Sequence, residues 1–220
     1  MSLLLKFNRQ IMRTPLRRLL EPHLAYPRGI LGCYMAAVMN QANVAITRFT
    51  LDQLRLQADQ QVLEIGFGGG VSFDLVLPAL RDGKLHGLDR SADMLDRARA
   101  VRRIDIKAGR LDLRLGTVDC LPYTDACMDR AFGVNTLYFW PDPLAGLKEL
   151  HRVLKPGGGL ALGLRGKSVF EKGGYSAKLF RIFDEAELGD LYRDAGFGGF
   201  QVVRASLGGV DTLVALGIKA

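Results

Sequence analysis

The sequence predicts an α/β fold in which parallel strands alternate with helices. A buried strand at residues 62 to 65 runs directly into a glycine-rich turn that opens a helix. Residues 85 to 88 form a second apolar strand that ends in an acid, and residues 144 to 154 have the three- and four-residue apolar spacing of an amphipathic helix. In sheets of this kind the ligand lies beyond the carboxyl ends of the strands, so we expect the site there.

The turn after the first strand has the sequence VLEIGFGGG. Gly66, Gly68 and Gly70 have no side chain, so the backbone can turn tightly against a ligand. Glu64 adds a carboxylate to an otherwise apolar strand. A dinucleotide site needs glycine or alanine where Val71 stands, so the turn departs from that pattern.

The second strand ends at Asp89, which follows Gly70 by 19 residues. A carboxylate about 20 residues beyond a glycine turn binds ribose hydroxyls in related folds. Ser91 is a suitable N-cap for the next helix, which contains Met94. These residues predict the sugar-binding side of a nucleoside pocket.

The later elements follow the same alternation. Residues 129 to 135 predict a strand with Asn135 at its carboxyl end, and residues 160 to 164 predict the next strand. A helix with an acidic first turn follows from residue 184, and two strands near 200 to 205 and 211 to 218 complete the chain.

Four motifs in this order resemble the class I S-adenosylmethionine-dependent methyltransferases. They are E-x-G-x-G-x-G from Glu64, DRSADML from Asp89, GTVDCLPY from Gly116 and LKELHRVLKPGG from Leu147. The resemblance is to the small-molecule branch that includes quinone-biosynthesis and sterol C-methyltransferases, and it covers roughly residues 52 to 220. It implies a Rossmann-like seven-stranded, mostly parallel sheet with an antiparallel final strand and helices on both faces.

The same resemblance implies S-adenosylmethionine as cofactor and S-adenosylhomocysteine as its product. It implies that Asp89 holds both ribose hydroxyls, that Met94 lies against the adenine, and that Asp119 accepts a hydrogen bond from the adenine amino group. The predicted cofactor-binding residues are Glu64, Gly66, Gly68, Gly70, Asp89, Arg90, Met94, Val118, Asp119, Cys120 and Asn135.

The methyl acceptor stays open at this point, as does the use of a general base, because a nucleophile that is already free needs none. The candidate catalytic residues are His23 and Tyr138. The candidate acceptor contacts are Tyr26, Tyr34, Asn40, Trp140 and Tyr175, and no metal site is predicted. Asn40 and Asn43, three residues apart on a predicted helix, either face the pocket together or cap a turn.

Residues 1 to 51 form a predicted helical extension to the methyltransferase domain of residues 52 to 220. The extension holds seven Lys or Arg residues and one acid, and so carries most of the net charge of +7. We expect the extension either to cap the catalytic domain, which we favour, or to bind through residues 1 to 28 to an anionic membrane that holds a lipid-like substrate. The missing interleaved aromatics argue against nucleic-acid binding. Residues 29 to 47 are uncharged, but their Asn and Gln side chains argue against a membrane span.

Three cysteines with no C-x-x-C pair predict reduced thiols and a cytoplasmic protein. Other functions remain as alternatives: a catalytically silent cofactor-binding partner, an RNA methyltransferase that uses the basic extension, and an aminopropyltransferase. Asn135 argues against the aminopropyltransferases, because they have an acid at this position. Asn135 is also not followed by the Pro-Pro-aromatic sequence of the methyltransferases that modify the amino groups of adenine or cytosine, which argues against that reaction. The oligomeric state is not predicted.

Overall fold

A computed structural model describes Thr14, residues 17 to 173 and residues 180 to 220. Its centre is a seven-stranded sheet in the order β3-β2-β1-β4-β5-β7-β6. The strands are β1 (Gln61–Ile65), β2 (Lys84–Asp89), β3 (Leu111–Leu115), β4 (Met128–Val134), β5 (Leu154–Arg165), β6 (Phe197–Leu207) and β7 (Val210–Lys219). Strands β1 to β5 pair in parallel, and β7 runs antiparallel to both β5 and β6. The predicted fold is confirmed.

Helices cover both faces of this sheet. They are α1 (Arg17–Leu20), α2 (Pro22–Ala25), α3 (Gly29–Leu54), α4 (Phe73–Val76), α5 (Ala92–Val101), α6 (Arg103–Lys107), α7 (Pro143–Val153), α8 (Lys167–Gly173) and α9 (Glu185–Asp194), with a 3₁₀ turn at Leu137–Phe139. The Ser91 hydroxyl caps α5 by accepting a hydrogen bond from the Met94 amide, as predicted. Asp184 and Glu187 form a capping box at the start of α9.

Two apolar clusters form the core, one on each face of the sheet. Because successive strand residues point to opposite faces, β1 contributes Leu63 to one cluster and Val62 to the other. The first cluster includes Leu150 of α7, and the second includes Met94 of α5. The sheet is therefore buried on both sides, which explains the apolar runs of its strands.

The strand order places the site. The chain passes from β1 to β2 on one side, while β4 lies on the other side of β1, so a crevice opens beyond the carboxyl ends of β1, β2 and β4. Helix α3 packs against β4 and β5 next to this crevice. It continues through the predicted boundary at residue 51 without interruption, and the division into two domains stays a prediction.

Helix α3 is also long and apolar enough to cross a membrane by length and composition alone. Its polar side chains contact the sheet, however: Asn40 and Asn43 form hydrogen bonds with Gly69 and Asn135. The middle of the helix therefore forms part of the wall of the crevice.

Candidate functional site

A cavity at the carboxyl edge of the sheet brings together most of the predicted site residues. The predicted cofactor residues on its wall are Glu64, Gly66, Gly68, Asp89, Arg90, Val118, Asp119 and Asn135. Asn40 and Trp140, predicted to contact the acceptor, also line it. Strands distant in sequence thus contribute to one site.

Three predicted cofactor residues lie off the cavity wall, which corrects the sequence-based set. Met94 is fully buried in the core beneath α5, because its position on the helix faces the sheet. A Cβ atom on Gly70 would come within 2.6 Å of the Phe73 ring, and Gly70 does not line the cavity. Cys120 is exposed beyond the loop that carries Asp119.

The two candidate catalytic residues also lie off the wall. His23 Nδ1 accepts a hydrogen bond from the Arg28 amide and so holds the turn after α2. The Tyr138 hydroxyl donates to the Arg165 carbonyl at 3.1 Å, and burial raises the pKa of that phenol. Neither residue is among those that line the cavity, so their catalytic role stays a prediction.

Two predicted acceptor contacts, Tyr26 and Tyr34, do not line the cavity either. The Tyr26 ring lies beneath the guanidinium groups of Arg28 and Arg90, at 4.7 and 5.4 Å, and so supports the chain that covers the site. Tyr34 is on α3 and is not one of the helix residues that line the cavity. Tyr175 lies outside the described residues.

The glycine turn after β1 has the tight geometry that its sequence predicts. Gly66 has a φ of +73°, and its amide donates to the Leu88 carbonyl at 2.7 Å. A Cβ atom on Gly66 would come within 2.5 Å of the Thr136 methyl group. Only glycine therefore allows the ends of β1 and β4 to approach this closely.

Asp89 joins the glycine turn to the end of β2. Its carboxylate accepts hydrogen bonds from the amides of Gly68 at 2.7 Å and Ser91 at 2.8 Å. Burial raises the pKa of this carboxyl group, while hydrogen bonds from the Ser91, Gly68 and Arg90 amides and the charge of Arg90 oppose the shift. An ionised carboxylate has about four acceptor positions, so the side chain can also accept hydrogen bonds from ribose hydroxyl groups.

Glu64 places a second buried carboxyl group at the cavity. The Ser72 hydroxyl donates to its Oε2 at 2.5 Å. Burial raises the pKa of Glu64 to about 8; the Ser72 hydrogen bond lowers it, and the nearby Asp89 charge raises it further. A cation in the cavity would stabilise the ionised form of both carboxylates.

The charges on the described cavity wall favour a cationic ligand. Glu64, Asp89 and Asp119 are acidic, and Arg90 is the basic residue. Arg90 is engaged elsewhere, because its Nε and Nη2 donate to the Ala25 carbonyl at 3.2 and 2.6 Å. A sulfonium nucleoside fits this donor set, with its sugar on Asp89 and its base beside Asp119.

Helix α3 forms the opposite wall. Asn40 Nδ2 donates to the Gly69 carbonyl at 2.9 Å, and Asn135 Nδ2 donates to Asn43 Oδ1 at 3.1 Å. Both asparagines are in the helix interior and face the cavity, so the alternative that they cap a turn is wrong. Thr47, one turn beyond Asn43, also lines the cavity and was missed, although its spacing places it on the same helix face.

The chain before α3 covers the cavity. Leu24, Ala25 and Pro27 line it, and two further contacts fix this stretch. The Ser91 hydroxyl donates to the Pro27 carbonyl, and the Gly29 amide donates to Asp93, both at 2.7 Å. The cover is thus fastened to the residues that directly follow Asp89.

Comparisons with known proteins agree with this geometry. Residues 63 to 162 match the family described as Methyltransferase domain. The chain is 34% identical to the uncharacterized methyltransferase YdaC of Bacillus subtilis strain 168 over 125 residues. This alignment covers 57% of this chain and 67% of YdaC. It is 27% identical over 115 residues to the ubiquinone/menaquinone biosynthesis C-methyltransferase UbiE of Geotalea daltonii, covering 50% of this chain and 48% of that protein.

The fold is also similar to the crystal structure of a SAM dependent methyltransferase from Aquifex aeolicus. The TM-score is 0.65 at 20% identity, covering 82% of this chain and 93% of that one. The chain thus spans about two thirds of YdaC and about half of UbiE.

Proposed function

The chain belongs to the class I S-adenosylmethionine-dependent methyltransferases, and we propose that it methylates a small, uncharged and largely apolar acceptor. When bound, S-adenosylmethionine supplies an electrophilic methyl group on a sulfonium. The Asp89 carboxylate would hold the ribose, while Val118 and Asp119 would lie beside the adenine. The glycine turn allows the backbone to approach the ligand closely.

The remaining lining residues carry this proposal about the acceptor. Many of them are apolar or polar without charge: Leu24, Ala36, Met39, Asn43, Thr47, Thr136, Phe139 and Trp140. The ionisable side chains among the described lining residues are Glu64, Asp89, Arg90 and Asp119. The three acids lie at or just beyond the ends of β1, β2 and β3, and Arg90 binds the Ala25 carbonyl of the chain that covers the cavity. A charged acceptor would be buried without a partner, which is costly.

With this arrangement the main contribution of the protein to catalysis is to position the acceptor against the methyl group. Apolar side chains exclude water, and uncharged hydrogen-bonding groups orient the acceptor in line with the methyl group. Apart from Glu64, Asp89, Arg90 and Asp119, no described side chain that lines the cavity can serve as a base. The acceptor therefore supplies a neutral nucleophile with a free lone pair.

Incubation with methyl-labelled S-adenosylmethionine and a metabolite and lipid extract tests the proposal. We expect the label in an uncharged, organic-soluble molecule, identified by mass. Label in RNA would support the RNA methyltransferase instead. Cofactor binding without any labelled product would support a catalytically silent partner.

The buried Glu64 predicts that cofactor affinity depends on pH. Its pKa of about 8 means that the carboxyl group is mostly protonated at neutral pH, and a bound sulfonium cation favours the carboxylate. Raising the pH from 6.5 to 8.5 should therefore strengthen binding of S-adenosylmethionine relative to the uncharged thioether S-adenosylhomocysteine by about tenfold. Calorimetry of both ligands across this pH range measures the ratio.

Glu64→Gln keeps a hydrogen-bond acceptor for Ser72 but cannot ionise, and in this variant the affinity ratio should not change with pH. A ratio that changes equally in both proteins would show that Glu64 is not the titrating group.

Contact with a membrane surface would give the enzyme access to a lipid-like acceptor, and we include it in the proposal. Leu19, Ile30 and Leu31 are 61%, 89% and 46% exposed, and they flank the chain that covers the cavity. Arg18 and Arg28 are close to them in sequence, and the extension carries most of the net positive charge. Apolar side chains among basic ones suit the interface of an anionic bilayer. A cytoplasmic location, with the three cysteines reduced, is part of the same proposal.

We expect Ile30→Glu to reduce sedimentation with phosphatidylserine vesicles about fivefold or more, because a carboxylate would replace a large apolar side chain that is 89% exposed. Ile104→Glu is the matched control, since Ile104 is 85% exposed on α6 and should have no effect. Equal loss in both variants, or no sedimentation of the wild type, would remove the membrane contact.

A further inference from the structure

Three buried oxygen atoms on the cavity wall have no hydrogen-bond partner among the described residues. They are Thr47 Oγ1, Asn135 Oδ1 and Thr136 Oγ1. Buried polar atoms nearly always form a hydrogen bond, because burial without one costs free energy. A group of such atoms around one cavity therefore indicates that a ligand completes their hydrogen bonding.

Thr47 differs from another buried threonine of the same helix. The Thr50 hydroxyl donates to the Ile46 carbonyl one turn back, at 2.8 Å, which is the usual way to satisfy a buried threonine in a helix. Thr47 is only 1% exposed, yet its hydroxyl has no such bond. Its hydroxyl group remains available to the cavity.

The asparagine pair fixes the second oxygen. Asn135 has a φ of +55°, an uncommon conformation for a residue other than glycine, directly after β4. Its side-chain amide donates to Asn43 Oδ1 at 3.1 Å, so Asn43 sets the direction of the Asn135 side chain. Asn43 and Thr47 are four residues apart and lie on one face of α3.

Asn135 lies on the opposite side of β1 from Asp89, and Thr47 is on α3, which packs against β4 and β5. Asp89 ends β2, whereas Asn135 follows β4, and β1 lies between the two strands. A nucleoside held by Asp89 and Asp119 extends along the ends of β1, β2 and β3. In-line transfer requires the acceptor to approach the methyl group from the side opposite the sulfur. The nucleoside leaves the part of the cavity beside β4 unoccupied, so the acceptor can approach from there.

We propose that Thr47 Oγ1 and Asn135 Oδ1 bind the polar group of the acceptor, a hydroxyl or an amine, and that Asn43 is a positioning residue which orients Asn135. The N–H groups of an amine acceptor donate to Asn135 Oδ1 and Thr47 Oγ1, which leaves the nitrogen lone pair free to attack the methyl group. A hydroxyl acceptor donates its O–H to Asn135 Oδ1 and accepts from the Thr47 hydroxyl with one lone pair, which leaves its other lone pair free. The electron pair of the broken methyl–sulfur bond stays on sulfur, and the methylated group releases its extra proton to solvent. The side chain of Asn135, predicted from sequence to bind the cofactor, then contacts the acceptor. This inference rests on the proposed function.

A crystal structure of the protein with S-adenosylhomocysteine tests the assignment without an identified acceptor. We expect ordered water on Thr47 Oγ1 and Asn135 Oδ1, in the position that the acceptor takes, and no contact of either atom with the nucleoside or its amino-acid end. Direct bonding of the ligand to these two oxygens would overturn the proposal, because they would then belong to the cofactor site.

Variants of Thr47 provide the second test, with the metabolite and lipid extract as the acceptor probe. Thr47→Val removes only the hydroxyl group, so the extract concentration that gives half-maximal methyl transfer should rise about five- to tenfold. The dissociation constant of S-adenosylhomocysteine should not change. Thr47→Ser should restore the wild-type value, and Thr50→Val should resemble the wild type, because the Thr50 hydroxyl is already bonded within the helix.

A parallel loss of nucleoside affinity, or a Thr47→Val enzyme with unchanged extract dependence, would overturn the proposal. If no extract gives a labelled product with the wild type, the proposed function fails, whereas the water positions in the crystal still decide the assignment of the two oxygens.

Discussion

Asp89→Ala should weaken binding of S-adenosylhomocysteine by at least about 100-fold. Two charge-assisted hydrogen bonds to the ribose contribute about 1.5 to 3 kcal/mol each, and the substitution removes both. It also removes the acceptor of the Gly68 and Ser91 amides, which loosens the turn against which the nucleoside lies. Quenching of the sole tryptophan, Trp140, which lines the cavity, reports the binding.

Asp96→Ala is the matched control. Asp96 is an exposed acid on α5 and does not line the cavity. The Asp96→Ala protein should therefore bind S-adenosylhomocysteine with the affinity of the wild type. The thermal midpoint of Asp89→Ala without ligand shows whether the variant is folded. A folded Asp89→Ala protein with wild-type affinity would contradict the assignment of the ribose to this carboxylate.

Gly66→Ala should lower the free energy of unfolding by about 2 to 4 kcal/mol and abolish cofactor binding. Alanine at a φ of +73° costs about 1 kcal/mol or more, and forcing its Cβ to within 2.5 Å of the Thr136 methyl group adds about 1 to 3 kcal/mol. The neighbouring strand ends must then separate, which opens the glycine turn. Urea unfolding measures the stability change.

Gly109→Ala separates the two causes. Gly109 has a φ of +74°, but a Cβ atom there would have no atom of the described residues within 4 Å apart from its chain neighbours. Only the cost of the backbone conformation, about 1 kcal/mol, should therefore appear. Cofactor affinity should not change in this variant. If both substitutions cost the same, the close approach of Gly66 and Thr136 contributes nothing.

Local patterns were enough to predict the sheet and the placing of the glycine turn and Asp89 at the cavity. The glycine turn follows β1 and Asp89 ends β2, so residues near one another in the sequence fix both. The capped helix starting after Ser91 is equally local. The side chain of Met94 was misplaced because its direction depends on the rotation of α5 against the sheet, which the motif does not specify.

The acceptor side could be predicted only in part. Asn40 and Asn43 were recognised as a pair, but whether they faced the cavity depended on how α3 packs against β4 and β5. His23, predicted as a candidate base, does not line the cavity, and its Nδ1 accepts a hydrogen bond from the Arg28 amide, which the local sequence does not indicate. The contact of Arg90 with the Ala25 carbonyl joins residues 65 positions apart, and no local pattern indicates it.

Calorimetric titration of the full chain with S-adenosylhomocysteine tests most directly whether the cavity at the ends of β1, β2 and β4 holds the nucleoside. We expect one binding event per chain, competed by S-adenosylmethionine and not by NAD. Absence of heat with both S-adenosyl ligands, or displacement of the bound nucleoside by NAD, would contradict the account.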